Sequence, residues 1–271
     1  MRGLILVNAY TQSEHELKRN DGALAYLSDG VRSDAASAYD FCVYLDKDKY
    51  TSRMLERSGL RLFNRAEAVE TCDDKMLTHL ALAGVVPMPE TIPGPLCYTP
   101  GAPVSERLLS RVEELLGCPV VVKECYGSLG KGVYLAHDRA QLREIAARVQ
   151  AKPHLYQQFI AESAGQDLRV LVIGGKAVAA MRRISQGDFR SNAELGGRGE
   201  AAALDPVVAA LCEKAAARIG LDYCGVDLLL SKDGPLVCEV NSNAHFKTTL
   251  ECTGVNMAVE IMRHISRRLE G

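Results

Sequence analysis

Residues 119–133 read PVVVKECYGSLGKGV, and the fold turns on what this stretch is. Its first part is an apolar run interrupted by Lys123. The glycine-rich part carries Gly127, Ser128, Gly130, Lys131 and Gly132 and leads into GVYLA, which again reads as a strand. Backbone N–H groups of such a loop can fold over phosphate. Two familiar phosphate loops do not fit. In a P-loop the lysine and a hydroxyl open a helix, but Lys131 is followed by Gly132 and a strand pattern. A dinucleotide fingerprint must also lead into a helix. What remains is a glycine-rich hairpin tip, for which a plain turn is the competing reading.

The composition narrows the setting. A chain of 271 residues is long enough for two or three small domains with real cores. A net charge of −2 gives no global basic character, so no nucleic-acid partner is expected. No apolar run approaches the ~18 residues of a membrane span. The opening MRGLILVNAY is read as a buried strand, not a signal peptide. The nine cysteines show no C-x-x-C pair and no metal-type spacing. Reduced thiols and a cytoplasmic setting are the simplest expectation.

Along the chain, LILVNAY, DFCVYLD and RLFN read as parallel-type strands, with a helix over KYTSRMLERSG. Too few residues separate the first strand from the candidate strand HELKRN for a crossover helix, so the N-terminal domain is expected to be abbreviated. TCDDKMLTHLALAG predicts one helix, N-capped by Thr71 with Asp74 near N3 and stopped by Gly84. A proline-rich connector leads to an amphipathic helix over SERLLSRVEELLG. After the glycine loop, Asp138 caps the helix RAQLREIAARV. HLYQQFI is a strand, Gly174-Gly175 turns a hairpin, and GDFRSNAELGGRGEAA is a polar loop. Asp205, Pro206 and Gly220 bound the next helix. A second hairpin follows, and the chain ends in a helix with Val259, Met262 and Ile265 on its apolar side.

The second hairpin carries acids. With KDG as a three-residue loop, facing residues have numbers summing to 466, which sets Asp227 opposite Glu239, with Asn241 on the same face. Like charges so placed repel unless neutralised. A hard cation such as Mg²⁺ would neutralise them, and solvent exposure on an edge is the alternative. Lys123 either points into a cleft toward an anion or snorkels from an edge strand. Lys75, in the first turn of its helix, means little alone. Arg182, Arg183 and Arg190 suit bidentate recognition of carboxylate or phosphate, or form a solvated basic face. Arg182 and Arg183 are adjacent on a strand, so at most one reaches a given site.

Taken in order, VVVKECYGSLGKGV, YQQFI, D-x-R, GDFRSN, GVDLL and EVN resemble the ATP-grasp superfamily, and within it the RimK-like α-L-glutamate ligases, from about Cys72 to the end. The resemblance implies an abbreviated N-terminal α/β domain over 1–70. Two α+β ATP-grasp subdomains over 71–153 and 154–271 would then clasp ATP. It implies that Lys75 and Lys123 contact the nucleotide phosphates and that Gly127, Ser128, Gly130, Lys131 and Gly132 form a mobile lid. Gln158, Phe159 and Ile160 would face adenine, and Asp167 would lie near the ribose. Arg190 and Asn192 would face the reacting phosphate and substrate. Asp227, Glu239 and Asn241 would hold Mg²⁺ or Mn²⁺. Arg183 and His245 are further substrate candidates. Gln158 stands where Glu is often found, and NSNAHFK departs from the family's S-P-G continuation beside the acceptor site. The implied activity is ATP-dependent ligation of an amine such as glutamate to a carboxylate through an acyl phosphate. The acceptor is left open among proteins, peptides and small metabolites, and a homo-oligomer is expected. The alternatives are an inactive nucleotide-binding module or a ligase of another amine.

Overall fold

The computed structural model describes residues 2–7, 24–27, 38–99, 101–128, 130–185, 187–191 and 198–270. The N-terminal part is a parallel sheet of β1 (Gly3–Val7), β2 (Leu24–Leu27), β3 (Phe41–Leu45) and β4 (Arg61–Phe63) in the order β2-β1-β3-β4. Every residue of β3 is buried, as a strand covered on both faces requires. The strand β2 was not anticipated, and HELKRN lies outside the described residues. Helix α1 (Lys49–Arg57) connects β3 to β4 and is N-capped by Asp48.

The single helix predicted over 71–84 is two, α2 (Ala66–Asp73) and α3 (Lys75–Leu82). Asp74 separates them. Its backbone is extended and its carboxylate accepts from the N–H groups of Met76 and Leu77 at 2.8 and 3.1 Å. An aspartate satisfies orphan N–H groups better as a cap than at N3 of a continuous helix. Thr71 is therefore inside α2, not a cap.

The next unit runs β5 (Thr91–Pro93), α4 (Glu106–Leu116), β6 (Val120–Glu124), β7 (Val133–Ala136), α5 (Arg139–Val149) and β8 (His154–Gln158). Its antiparallel sheet has the order β5-β8-β6-β7, and α4 and α5 cover one face, with Leu109, Val112 and Leu142 in one cluster with Val120, Val122 and Tyr156 of the sheet. The third unit comprises β9 (Gln166–Ile173), β10 (Lys176–Ile184), β11 (Arg198–Ala202), α6 (Pro206–Ile219), β12 (Tyr223–Ser231), β13 (Gly234–Asn241), α7 (Lys247–Thr253) and α8 (Met257–Glu270). Its sheet order is β11-β10-β9-β12-β13. The short elements β5, β11, α2 and α7 escaped the sequence reading. Residues 154–158 pair within the central sheet, not the C-terminal one. Cys72 of α2 and Leu82 of α3 pack with Val170, Cys212 and Val226, so both helices lie against the C-terminal sheet.

Alternation along β9 divides the work. Leu168, Val170 and Val172 join the core under α6, while Leu171 and Ile173 face the other way. There they meet Ile5, Val43, Phe63, Tyr223, Ile261 and Ile265 in one cluster shared by the N-terminal sheet and α8. The buried residues of α8 are Met257, Ala258, Ile261 and Ile265; Val259 and Met262, expected to face inward, are only half-buried. Asn64, fully buried after β4, fastens the two parts. Its Nδ2 donates to the carbonyls of Tyr223 and Ser242 at 2.8 and 3.0 Å. Its Oδ1 accepts from the N–H groups of Asp222 and Tyr223 at 2.7 and 3.2 Å.

Candidate active site

A cleft of about 510 Å³ opens where the central sheet faces the C-terminal sheet, with the loop after β3 at one side. The central side supplies Lys123, the glycine loop and 157–160; the helix α3 supplies Lys75; the C-terminal sheet supplies the acids and arginines. Of the described candidate site residues, all lie on its wall except Gly132, and of the three arginines considered Arg183 and Arg190 reach it while Arg182 does not. Gly132 is held at φ +71°, where a Cβ would come 3.1 Å from the Glu124 side chain. Asn192 lies outside the described residues.

Lys123 is on β6, an interior strand flanked by β8 and β7, so the edge-strand reading fails. Its Nζ reaches across the cleft to Cys238 Sγ at 3.3 Å. Lys75 begins α3, and its Nζ donates to the Gly127 carbonyl at 3.0 Å, which ties it to the start of the glycine loop. Burial lowers the Lys75 pKa; Glu239 opposes that shift and Lys123 adds to it. Arg190 Nη1 donates to the Gly130 carbonyl at 2.7 Å while its other nitrogens hold Asp188, so it too braces the glycine loop. Gln158 ends β8 and its side chain turns toward the Glu90 N–H, 3.4 Å away.

The acid hairpin has the expected pairing for an unexpected reason. Ser231 pairs with Gly234, so the turn is the two residues Lys232 and Asp233, not KDG. A register shift between Asp227 and Leu228 restores Asp227 opposite Glu239. It also lets Cys238 and Glu239, adjacent in sequence, both reach the cleft.

Asp227 is not left for a cation to neutralise. Arg169, opposite it on β9, donates to both its oxygens at 2.7 Å. Arg183 approaches Asp227 at 2.9 Å and also pairs with Asp167, which faces it across β9 and β10. The result is a buried row, Asp167–Arg183–Asp227–Arg169, of balanced charge. Burial favours neutral Asp227, but Arg169 and Arg183 override it and hold the pKa down at about 2. Burial also opposes the Arg183 charge, and the two carboxylates drive its pKa up regardless. Arg182, the neighbour, is exposed. The sequence reading did not single out Arg169; the D-x-R spacing was its only signal.

The oxygen donors fit a hard cation. Glu239 has a half-buried carboxylate on the wall, and Asn241 donates its amide nitrogen to Asp227 at 3.3 Å, leaving its carbonyl oxygen to coordinate. Asp227 would join only by sharing oxygens that the arginines already hold.

A model of the RimK-like ATP-grasp domain matches residues 91–265. The chain belongs to the RimK-like ATP-grasp family. It is 37% identical over 220 residues to β-citrylglutamate synthase B of Danio rerio, which covers 80% of this chain and 53% of that protein. It is 38% identical over 208 residues to human N-acetylaspartylglutamate synthase A, covering 75% and 52%. A probable α-L-glutamate ligase of Thioalkalivibrio sulfidiphilus is 36% identical over 220 residues, covering 79% and 70%. The chain thus spans about half the length of the first two relatives. A RimK-domain ATP-grasp structure from Sphaerobacter thermophilus superposes over 97% of this chain and 99% of that one. Its TM-score is 0.75 at 23% identity, which establishes the shared ATP-grasp fold. Among the described residues no helix is long and apolar enough to cross a membrane.

Proposed function

We propose that this RimK-like protein is an ATP-dependent carboxylate–amine ligase with L-glutamate as the amine. The observation that carries the reading is the convergence of Lys75 and Lys123 with Glu239 in one cleft. Cations for phosphate come from one jaw and helix α3, and carboxylate chemistry comes from the other jaw. An inactive nucleotide-binding module could hold Mg²⁺ and ATP with the same residues, so acceptor-dependent turnover decides between the two readings.

The acceptor carboxylate oxygen attacks the γ-phosphorus of ATP, the bond to the β-phosphate oxygen breaks, and ADP leaves. The amine nitrogen of glutamate, once its ammonium form has given a proton to solvent, then attacks the acyl carbon; a C–N bond forms, the acyl C–O bond to phosphate breaks, and the departing phosphate takes up the nitrogen's second proton. Lys75 and Lys123 offset the charge gathering on the phosphoryl oxygens, a role that needs fixed positions and no covalent step. The glycine loop, held at Gly127 by Lys75 and at Gly130 by Arg190, covers the phosphates and excludes water from the acyl phosphate. The row Asp167–Arg183–Asp227–Arg169 keeps the floor rigid. Mg²⁺ or Mn²⁺, held by Glu239 and Asn241 with Asp227, would supply charge neutralisation at the phosphates.

The relatives' names point to small polycarboxylates as acceptors, and the peptide class stays in the test. ADP release is measured with ATP, Mg²⁺ and glutamate against citrate, N-acetylaspartate and a glutamate-ended peptide. The expected result is ADP formation that needs both an acceptor and glutamate, with a product of their summed mass less one water. Tight binding of an ATP analogue with no turnover on any acceptor would establish the inactive module instead.

A further inference from the structure

The N-terminal sheet brings its own cation to the cleft. Its order, β2-β1-β3-β4, reverses direction between β1 and β3, and ligands of open parallel sheets bind beyond the strand ends at such a reversal. The loop that leaves the carboxyl end of β3 is Asp46-Lys47-Asp48, and Asp46 and Lys47 are on the cleft wall. This loop lies outside the residues matched by the ATP-grasp domain.

The loop backbone is pinned on both sides. Asn243 Nδ2, two residues beyond Asn241, donates to the Leu45 carbonyl at 2.8 Å. The Lys47 N–H donates to Asp46 Oδ1 at 2.7 Å, and Asp48 caps α1. The side chain of Lys47 is held far less firmly. Its ion pair with Asp73 is long, at 3.5 Å, and about 29% of the side chain is exposed. With the backbone already fixed, only the side-chain rotamers remain to be ordered, at about 0.5–1.5 kcal/mol, when this cation transfers to an incoming anion.

We propose that Lys47 binds the anionic acceptor, gripping a carboxylate of that substrate and so positioning the reacting one. This rests on the ligase reading above. The nucleotide phosphates have Lys75, Lys123 and the lid, all carried by the helix α3 and the central sheet. Lys47 arrives from a third element fixed to the end of β13, so its partner is the group that must meet the phosphoryl from outside the ATP-grasp jaws. Lys47 neighbours Lys75 electrostatically. The same oxyanion chemistry could therefore arise from the ATP γ-phosphate, and the experiment separates the two.

Steady-state kinetics are measured for the wild type, Lys47→Met, Lys47→Arg and Lys49→Met at fixed glutamate, varying ATP and, separately, whichever of citrate, N-acetylaspartate and the glutamate-ended peptide the wild type turns over. Each protein is also titrated calorimetrically with a non-hydrolysable ATP analogue and Mg²⁺. Lys47→Met should raise the acceptor KM roughly 10- to 100-fold, the worth of a charge-assisted hydrogen bond. Its ATP KM and analogue affinity should change less than about twofold. Lys47→Arg should recover part of the loss. Lys49 holds its charge over the Tyr50 and Tyr126 rings, off the cleft wall, so Lys49→Met should leave the acceptor KM unchanged unless the effect is only long-range attraction. An unchanged acceptor KM in Lys47→Met, an equal loss for ATP, or an equal effect of Lys49→Met overturns the assignment while the ligase reading stands. Absence of acceptor-dependent turnover in the wild type overturns both.

Discussion

Replacing Asn64 with alanine is the sharpest test of how the N-terminal sheet is held. The side chain is fully buried and makes hydrogen bonds of 2.8, 3.0, 2.7 and 3.2 Å to the strand β12 and the turn after β13. Each such bond contributes about 0.5–1.5 kcal/mol net, and removing the partner leaves two N–H and two C=O groups buried without one. The expected loss is therefore roughly 4 kcal/mol, a large part of the ~5–15 kcal/mol that holds a domain folded. Urea denaturation measures the loss, and hydrogen exchange at the Asp222 and Tyr223 amides locates it. Asn64→Asp is a near-isosteric control. It keeps the oxygen that accepts two N–H groups but turns a second oxygen on the carbonyls of Tyr223 and Ser242. At neutral pH it should cost at least as much as alanine. Acceptor-dependent turnover should fall in both variants, because the Lys47 loop rides on this sheet. Affinity for an ATP analogue should persist, since Lys75, Lys123 and 157–160 lie elsewhere. A loss below ~1 kcal/mol with both amides still protected would refute the account.

Three further outcomes are expected. Lys123→Met should fold normally and weaken ATP-analogue binding by roughly 1.5–3 kcal/mol in calorimetry; unchanged affinity would detach β6 from the nucleotide. Glu239→Gln should keep its circular dichroism spectrum and lose most Mg²⁺-dependent ADP release; near-normal turnover at ordinary Mg²⁺ would remove Glu239 from the metal set. In Gly225→Ala the new Cβ would lie 2.6 Å from the Ala244 Cβ, a contact neither side chain can rotate away from. A stability loss of about 1–3 kcal/mol should follow on thermal denaturation, with impaired turnover because Asn241 and His245 flank the displaced segment.

Much of this protein can be read from local chemistry. The caps Asp138 and Asp205, the Gly174-Gly175 turn and the strand–glycine loop–strand around Lys123 are set by residues within a few positions of one another. The order of Lys75, Lys123, Asp227, Glu239 and Asn241 along the chain was enough to suggest the family. Short elements such as β5 and β11 were not visible, because strands of three and five residues depend on the neighbour they pair with and not on their own pattern.

Tertiary structure decided the electrostatics of the floor and the register that builds it. Sequence set Asp227 opposite Glu239 but had no way to place β9 beside β12, and that adjacency is what brings Arg169 and then Arg183 onto Asp227. Sheet order is a property of the whole chain, so the partner of a buried charge cannot be read from its own hairpin. The register itself depended on two departures from the simplest hairpin. A two-residue turn alone would have set Asp227 opposite Cys238 and sent Glu239 to the far face, since one step along a strand reverses a side chain. The shift beside Asp227 restores the pair. Local sequence chooses strand and turn; the register of β13 against β12 within the five-stranded sheet is what brings the adjacent residues Cys238 and Glu239 to one cleft.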